Sequence, residues 1–334
     1  MLSLRKKYIN YTKMKEKEYQ TIVNNDIPMK EYFLWKKIIL LTLYITAITI
    51  NVLSSFSIFN STNLGAITQK YSTSIVPDGI TFSIIWIIIY VFYAFYIIYQ
   101  FFPSFNLLFE KEANEIFIYL IIIFLCNTTW IPLWSYNVYW TSFLIIILYL
   151  YANAKIYFIL NIQMETFFSF SWKKIVFILG FANTNLSWIL VASITSFTTI
   201  LKISGWNVPD DWSIACIVFY MLISTWIISF YVDPYFTFVS IWALLGIARN
   251  EQKVISVQII SYIFAGIIAL YFLVYFLFLY FTKNNRINHK FKKDEILNEL
   301  NHDIEKSIPK KNIKKEQNKN NRNITRGNSI NTYI

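Results

Sequence analysis

Residues 75–100 read IVPDGITFSIIWIIIYVFYAFYIIYQ. Pro77-Asp78-Gly79 is a turn signal, and about 20 residues without a charge follow it. A bilayer core about 30 Å thick needs roughly 20 residues at 1.5 Å each, so this run predicts a membrane-spanning helix. Phe82, Trp86, Tyr90 and Tyr93 fall four, four and three apart, and so share one face of that helix. The stripe is aromatic, and its tyrosines carry hydroxyls to membrane depth.

Similar runs fill the middle of the chain. Apolar spans are expected at about 38–58, 80–102, 116–134, 139–160, 175–201, 212–231, 234–249 and 254–281. Backbone polar groups in lipid need internal partners, so spans are helices or closed barrels. Runs this continuous exclude the alternating barrel pattern. The expected fold is therefore an all-α, polytopic transmembrane bundle of about eight spans. Composition agrees: 56% of residues are apolar and only 15% charged, against about 25% charged in a soluble domain.

The charges are segregated. Nine of the 30 Lys and Arg lie in residues 1–37 and thirteen in 283–334. This predicts a basic N-terminal tail (1–37), a membrane domain (38–281) and a basic, mostly disordered C-terminal tail (282–334). Within the last, Ile296, Leu297, Leu300, Ile304 and Ile308 recur at helical spacing, either as a surface helix or as a transient one. The positive-inside rule puts both tails in the cytosol, which an even number of spans satisfies. Asn60-Ser61-Thr62 then faces outward as a glycosylation sequon at Asn60. Membrane lipids are expected partners, and nucleic acid is not.

Chemistry-bearing groups are sparse. Asn127, Trp130 and Trp134 share a face of the third span, and Asn185, Trp188, Ala192 and Thr195 a face of the fifth. An amide in hydrocarbon is costly unless hydrogen-bonded, so both Asn residues should face the bundle interior. Two readings fit these stripes. One is a pocket of indole and phenol faces for a flat apolar ligand; the other is helix–helix packing. Trp86, Trp188, Trp226 and Trp242 lie deep in their spans, whereas Trp130, Trp134, Trp140, Trp172, Trp206 and Trp212 lie near span ends, where interfacial anchoring explains most of them. Asp78, Asp210, Asp211 and Asp233 all sit at span ends, so a mid-span carboxylate relay is not expected. Cys126 and Cys216 read as core residues. The only histidines, His289 and His302, lie in the C-terminal tail. No nucleophile–base pair, metal cluster or phosphate loop stands out, and the chain reads as a non-enzyme without a covalent cofactor.

Residues 77–90 (PDGITFSIIWIIIY) resemble the Pro-Ala-Gly-x-x-Phe-Ser-Ile-Trp-Gly-x-Ile-Tyr motif of tryptophan-rich sensory proteins, the long form of the translocator-protein (peripheral benzodiazepine receptor) superfamily. Asn51 and residues 60–71 are similar to its first helix and following loop. Residues 186–193 (LSWILVAS) resemble its Leu-Gly-Trp-Ile-x-Val-Ala-Thr segment, Asn127 with Trp130 its Asn-x-x-Trp, and residues 239–248 (VSIWALLGIA) its late Val-x-Trp-Ala-Leu-x-Gly-Ile motif. The resemblance implies a five-helix core with extra C-terminal helices and frequent dimerisation. It also implies a pocket for porphyrins, sterols or similar hydrophobic ligands. Phe82, Trp86, Tyr90, Asn127, Trp130 and Trp188 would line that pocket. Asp78 stands where the family has Ala, Ile87 where it has Gly, and Phe181 near the place of a Pro; these departures imply either an altered pocket entrance or a lost ligand.

The leading expectation is a non-enzymatic membrane protein that binds a hydrophobic ligand as sensor or carrier. A secondary transporter or channel for a small solute, and a membrane scaffold that recruits partners through its tails, are the alternatives.

Overall fold

A computed structural model describes residues 34–56, 58–59, 71, 73–162, 174–250 and 254–307; for 103–104, 106–110 and 283–307 it describes the backbone alone. The sequon at Asn60, Trp172 and most of the N-terminal tail lie outside the described residues. Eight α-helices form, and there is no strand among the described residues. They are α1 (Leu34–Ser55), α2 (Gly79–Tyr99), α3 (Pro103–Ser135), α4 (Tyr139–Ile162), α5 (Gly180–Ile203), α6 (Asp210–Tyr231), α7 (Pro234–Arg249) and α8 (Ile255–Ser307). Each apolar run of the sequence falls in one of them.

Local chemistry sets the helix ends. Asp78 caps α2, its Oδ1 accepting the Thr81 N–H at 2.9 Å. Asp233 caps α7 by accepting the N–H groups of Tyr235 and Phe236. Proline opens α3 and α7, where a missing N–H costs nothing. Val232 ends α6 in the left-handed region at φ 51°. A π-helical turn, Ile175–Leu179, leads into α5. The Tyr235 hydroxyl donates to its Ile175 carbonyl at 3.3 Å, one way of meeting the backbone groups that a π-turn leaves short.

Hydrogen bonds fix the directions. Asn51 of α1 meets Asn127 of α3, and Lys36 meets Asn114, so α1 and α3 run parallel. Paired contacts make consecutive helices from α2 to α6 antiparallel: Trp86–Trp130 with Tyr93–Phe124, Trp130–Ser142 with Asn127–Tyr149, Tyr149–Asn185 with Asn161–Asn183, and Thr198–Trp212 with Ser187–Tyr220. In packing order the first five helices close a ring, α1–α2–α5–α4–α3 and back to α1. This is the expected five-helix core. α7 lies against α5 and α2 outside the ring, and α6 packs on α5 and α7. A buried hydroxyl cluster joins these three: Ser187, Tyr220, Ser224 and Ser240 lie within 3.2 Å of one another along its links. Hydroxyl bonds of this kind hold helices together where lipid removes the hydrophobic drive.

Seven of the eight helices are long and apolar enough to cross a membrane, and α7, at 16 residues, is shorter. At 1.5 Å per residue it reaches about 24 Å, less than the hydrocarbon thickness of about 30 Å. It is tolerated because protein covers one side of it: nine of its residues are buried. The helices grade from centre to periphery. The most apolar window of α5 is 72% buried and that of α8 only 11%. The chain separates into two compact units, residues 1–276 and 277–334. In the second, backbone helix continues to Ser307, through the positions of Ile296, Leu297, Leu300 and Ile304; residues 308–334 lie outside the described residues.

Candidate functional site

The two polar stripes and the aromatic one converge inside the ring. They build two layers, an aromatic cavity and a hydrogen-bonded floor.

Val76 and Pro77 close one end of the cavity. Phe82 and Trp86 enter from α2, Trp130 and Trp134 from α3, Ile146 and Tyr149 from α4. α5 supplies Trp188, Ala192, Thr195 and neighbouring residues on the same face. Trp86 stacks on Trp130 with ring centroids 6.0 Å apart and planes 21° off parallel. Phe82 meets Trp188 edge-on at 5.8 Å. The cavity volume is about 60 Å³, below the range of about 300–1,000 Å³ for small-molecule sites. The cavity is a narrow slot, whose walls part to admit a flat molecule.

Three indoles of the lining, two from α3 and one from α5, hold unused donors. The Nε1–H groups of Trp130, Trp134 and Trp188 are buried and meet no acceptor. A buried donor without a partner costs about 1–3 kcal/mol.

Beneath lies a buried amide–phenol network. Asn127 Oδ1 accepts from Asn51 Nδ2 and from the Tyr90 hydroxyl, each at 3.1 Å. Asn127 Nδ2 donates to the Tyr149 hydroxyl at 3.3 Å. Asn185 Nδ2 lies 2.6 Å from the Tyr93 hydroxyl and 2.8 Å from Asn153 Oδ1. The Tyr149 hydroxyl donates to Asn185 Oδ1 at 3.4 Å. Tyr149 also lines the cavity and so belongs to both layers.

Of the six expected pocket residues, Phe82, Trp86, Trp130 and Trp188 line the cavity, while Tyr90 and Asn127 belong to the floor. The cavity wall comes from α2–α5, and α1 reaches only the floor, through Asn51. Trp134, expected at the interface, is 4% exposed and part of the wall. Trp226, expected deep, is 48% exposed on α6. Tyr149 and Asn153 carried no stripe of their own to mark them in the sequence.

The cavity rim is tied to α7. The Asp78 N–H donates to the Gly246 carbonyl at 3.0 Å, and Trp242 Nε1–H to the Thr81 carbonyl at 3.2 Å. Asn250 Nδ2 donates to the Val76 carbonyl. Arg249 Nη2 donates to Thr81 Oγ1 at 2.6 Å and lies 3.4 Å from Asp78 Oδ2. Burial pushes the Asp78 carboxyl up, but its hydrogen bonds from Thr81 and the Arg249 charge outweigh burial and hold it below its ordinary value. The departure at position 78 thus has a structural role, capping α2 and receiving α7. Gly246 permits the approach, because a Cβ there would sit 2.4 Å from Thr81 Cγ2. Thr81 is buried and β-branched, so it has little room to yield. Gly246→Ala is expected to cost about 1–2 kcal/mol of stability by overpacking, read as a lower thermal midpoint in detergent. An unchanged midpoint would mean that α7 is not clamped against α2.

Asp233, expected at a span end, sits there as the cap of α7, and it is only 3% exposed. Tyr157 of α4 and Asn183 of α5 lie beside its carboxyl.

The architecture is that of a polytopic helical membrane protein with an aromatic cavity at its centre. The profile of the TSPO-like protein family matches residues 37–275, and the chain belongs to that family. Comparison with curated proteins and with solved structures returned no match.

Proposed function

We propose that the protein binds a flat hydrophobic ligand carrying hydrogen-bond acceptors, of the porphyrin or sterol class, in the slot between α2 and α5. It does so as a sensor or carrier, without transforming the ligand. The supporting observation is the aromatic lining of the slot, Phe82, Trp86, Trp130, Trp134 and Trp188, in which three buried indole N–H groups lack an acceptor. Oxygen atoms of a carboxylate, carbonyl or hydroxyl would supply the acceptors, while the stacked rings take the flat face. Phe82, Trp86, Trp130 and Trp188 make contact in this reading, and Tyr90 and Asn127 hold the floor rigid beneath it.

The test is titration of detergent-solubilised protein with protoporphyrin IX, and in parallel with cholesterol as its competitor, following tryptophan fluorescence. Saturable quenching is expected. Trp130→Phe and Trp188→Phe keep an aromatic ring but remove a donor. Each should raise Kd about 5- to 10-fold, the worth of one hydrogen bond of about 1 kcal/mol or slightly more. Trp226→Phe, on the outer face, should change nothing. Quenching that is absent, or indifferent to Trp130 and Trp188, would sink the assignment.

A further inference from the structure

The last helix carries its charges sorted along its length. Its apolar span is Ile255–Thr282, and the backbone stays helical without a break to Ser307. Residues 283–293 (KNNRINHKFKK) hold five Lys and Arg and no Asp or Glu. Residues 294–307 hold five Asp and Glu and one Lys. With both histidines neutral, the first stretch carries a charge of +5 and the second −4.

Register sorts the basic stretch further. Positions 283, 286, 290 and 293 fall three, four and three apart, so Lys283, Arg286, Lys290 and Lys293 share one face of the helix. The positive-inside rule counts charges near a span end and is indifferent to the face they occupy. Membrane helices tilt by about 20° on average, so one face of such an extension leans toward the bilayer. At 1.5 Å per residue, Lys283 and Arg286 fall within about 6 Å of the end of the span and Lys293 within about 16 Å. The headgroup layer is about 5–8 Å thick, and a charge is felt about 8 Å beyond it at physiological salt. The basic stretch thus ends where the pull of an anionic surface fades, and the acidic stretch begins there. A second copy of the chain fits less well: two copies inserted alike run parallel and set these cations against each other.

We propose that residues 283–293 bind the headgroups of anionic phospholipids. The cations at 283, 286, 290 and 293 supply the attraction, and the acidic stretch 294–307 keeps the rest of the helix off the surface. The site is separate from the central slot and stands whether or not the slot takes a ligand.

The test is hydrogen–deuterium exchange of the full chain in lipid nanodiscs, read by mass spectrometry. One set of discs is phosphatidylcholine alone, and the other mixes in phosphatidylserine. Amides of 283–293 are expected to exchange about tenfold more slowly in the mixed discs, a modest share of what four cations beside an anionic surface supply. A negative surface also slows exchange by lowering the local pH, so variants decide the matter. Lys283→Gln, Arg286→Gln, Lys290→Gln and Lys293→Gln together should bring the two kinds of disc within about twofold. Lys292→Gln, which removes one charge off the shared face, should keep the difference. Equal exchange in both discs for the wild type, or a difference that survives the fourfold change, would overturn the site. Protection brought equally by inorganic phosphate in phosphatidylcholine discs would assign the cluster to free anions and overturn the lipid reading.

Discussion

Asn185→Leu is expected to be the most damaging single change in the membrane domain. Asn185 donates to the Tyr93 hydroxyl and to Asn153 Oδ1 in the floor network. Leucine fills a similar space but withdraws both donors. Tyr149 keeps its bond from Asn127. Each buried group left short of a partner costs about 1–3 kcal/mol. Hydrogen bonds within membranes average at the low end of such scales, because the unfolded chain in a micelle also finds partners. A total of about 2–4 kcal/mol follows. The measurement is the urea or thermal unfolding of the detergent-solubilised variant against wild type. Trp226→Leu, on an exposed surface, serves as the reference for a change that should cost little. A loss no greater than that reference would mean that the floor does not hold the ring together.

Asp233→Asn is expected to act in the opposite direction and only above a certain pH. The carboxyl lies in the α6–α7 turn, outside the helical spans. One of its oxygens receives two backbone N–H groups, and the other, Oδ2, is buried. Burial is the largest influence and pushes its pKa from 3.8 up to about 6, with Phe236, Tyr157, Asn183 and Tyr235 opposing that rise. The sign follows from linkage. The folded state holds the proton more tightly than the unfolded state does. Its contribution to stability is therefore full below about pH 4 and is lost as pH rises through about 6. Two pH units correspond to about 3 kcal/mol. Asparagine caps a helix about as well as aspartate does and has no charge to bury. The variant should match wild type near pH 4 and exceed it above pH 6, with the difference growing between those values. A variant that is less stable than wild type at pH 7.5 would show that the ionised carboxylate has a partner that the fold relies on.

Much of this arrangement was legible in the residues, because hydropathy and helical spacing are local properties. Each apolar run became a helix, and the stripes through Phe82 and Trp86, Asn127 and Trp130, and Asn185 and Trp188 turned inward together. Those residues reported their own orientation: an amide or an indole repeated on one face of an apolar helix has only the interior to satisfy it. What escaped was everything fixed by distant neighbours. Thr81 and Arg249 are 168 positions apart, and no spacing reports their contact. The ring order, with α2 beside α5 and α1 beside α3, depends on all five helices at once. Tyr149 and Asn153 sit on a helix apolar on every side, so their inward direction left no pattern. Trp134 was read as an interfacial anchor because it lies near a span end, and nothing in the residues marked Asp233, at a span end too, as buried. Both are buried because neighbouring helices cover the positions that hydropathy assigns to the boundary.

The most direct test of the central claim fills the slot itself. Ala192 lies on the α5 wall of the cavity and is only partly buried, so a larger side chain there extends into empty space. Ala192→Phe is predicted to keep the helical content and thermal midpoint of the wild type while abolishing saturable quenching by protoporphyrin IX. A folded Ala192→Phe variant that binds protoporphyrin IX with unchanged Kd would contradict the assignment of this cavity as the ligand site.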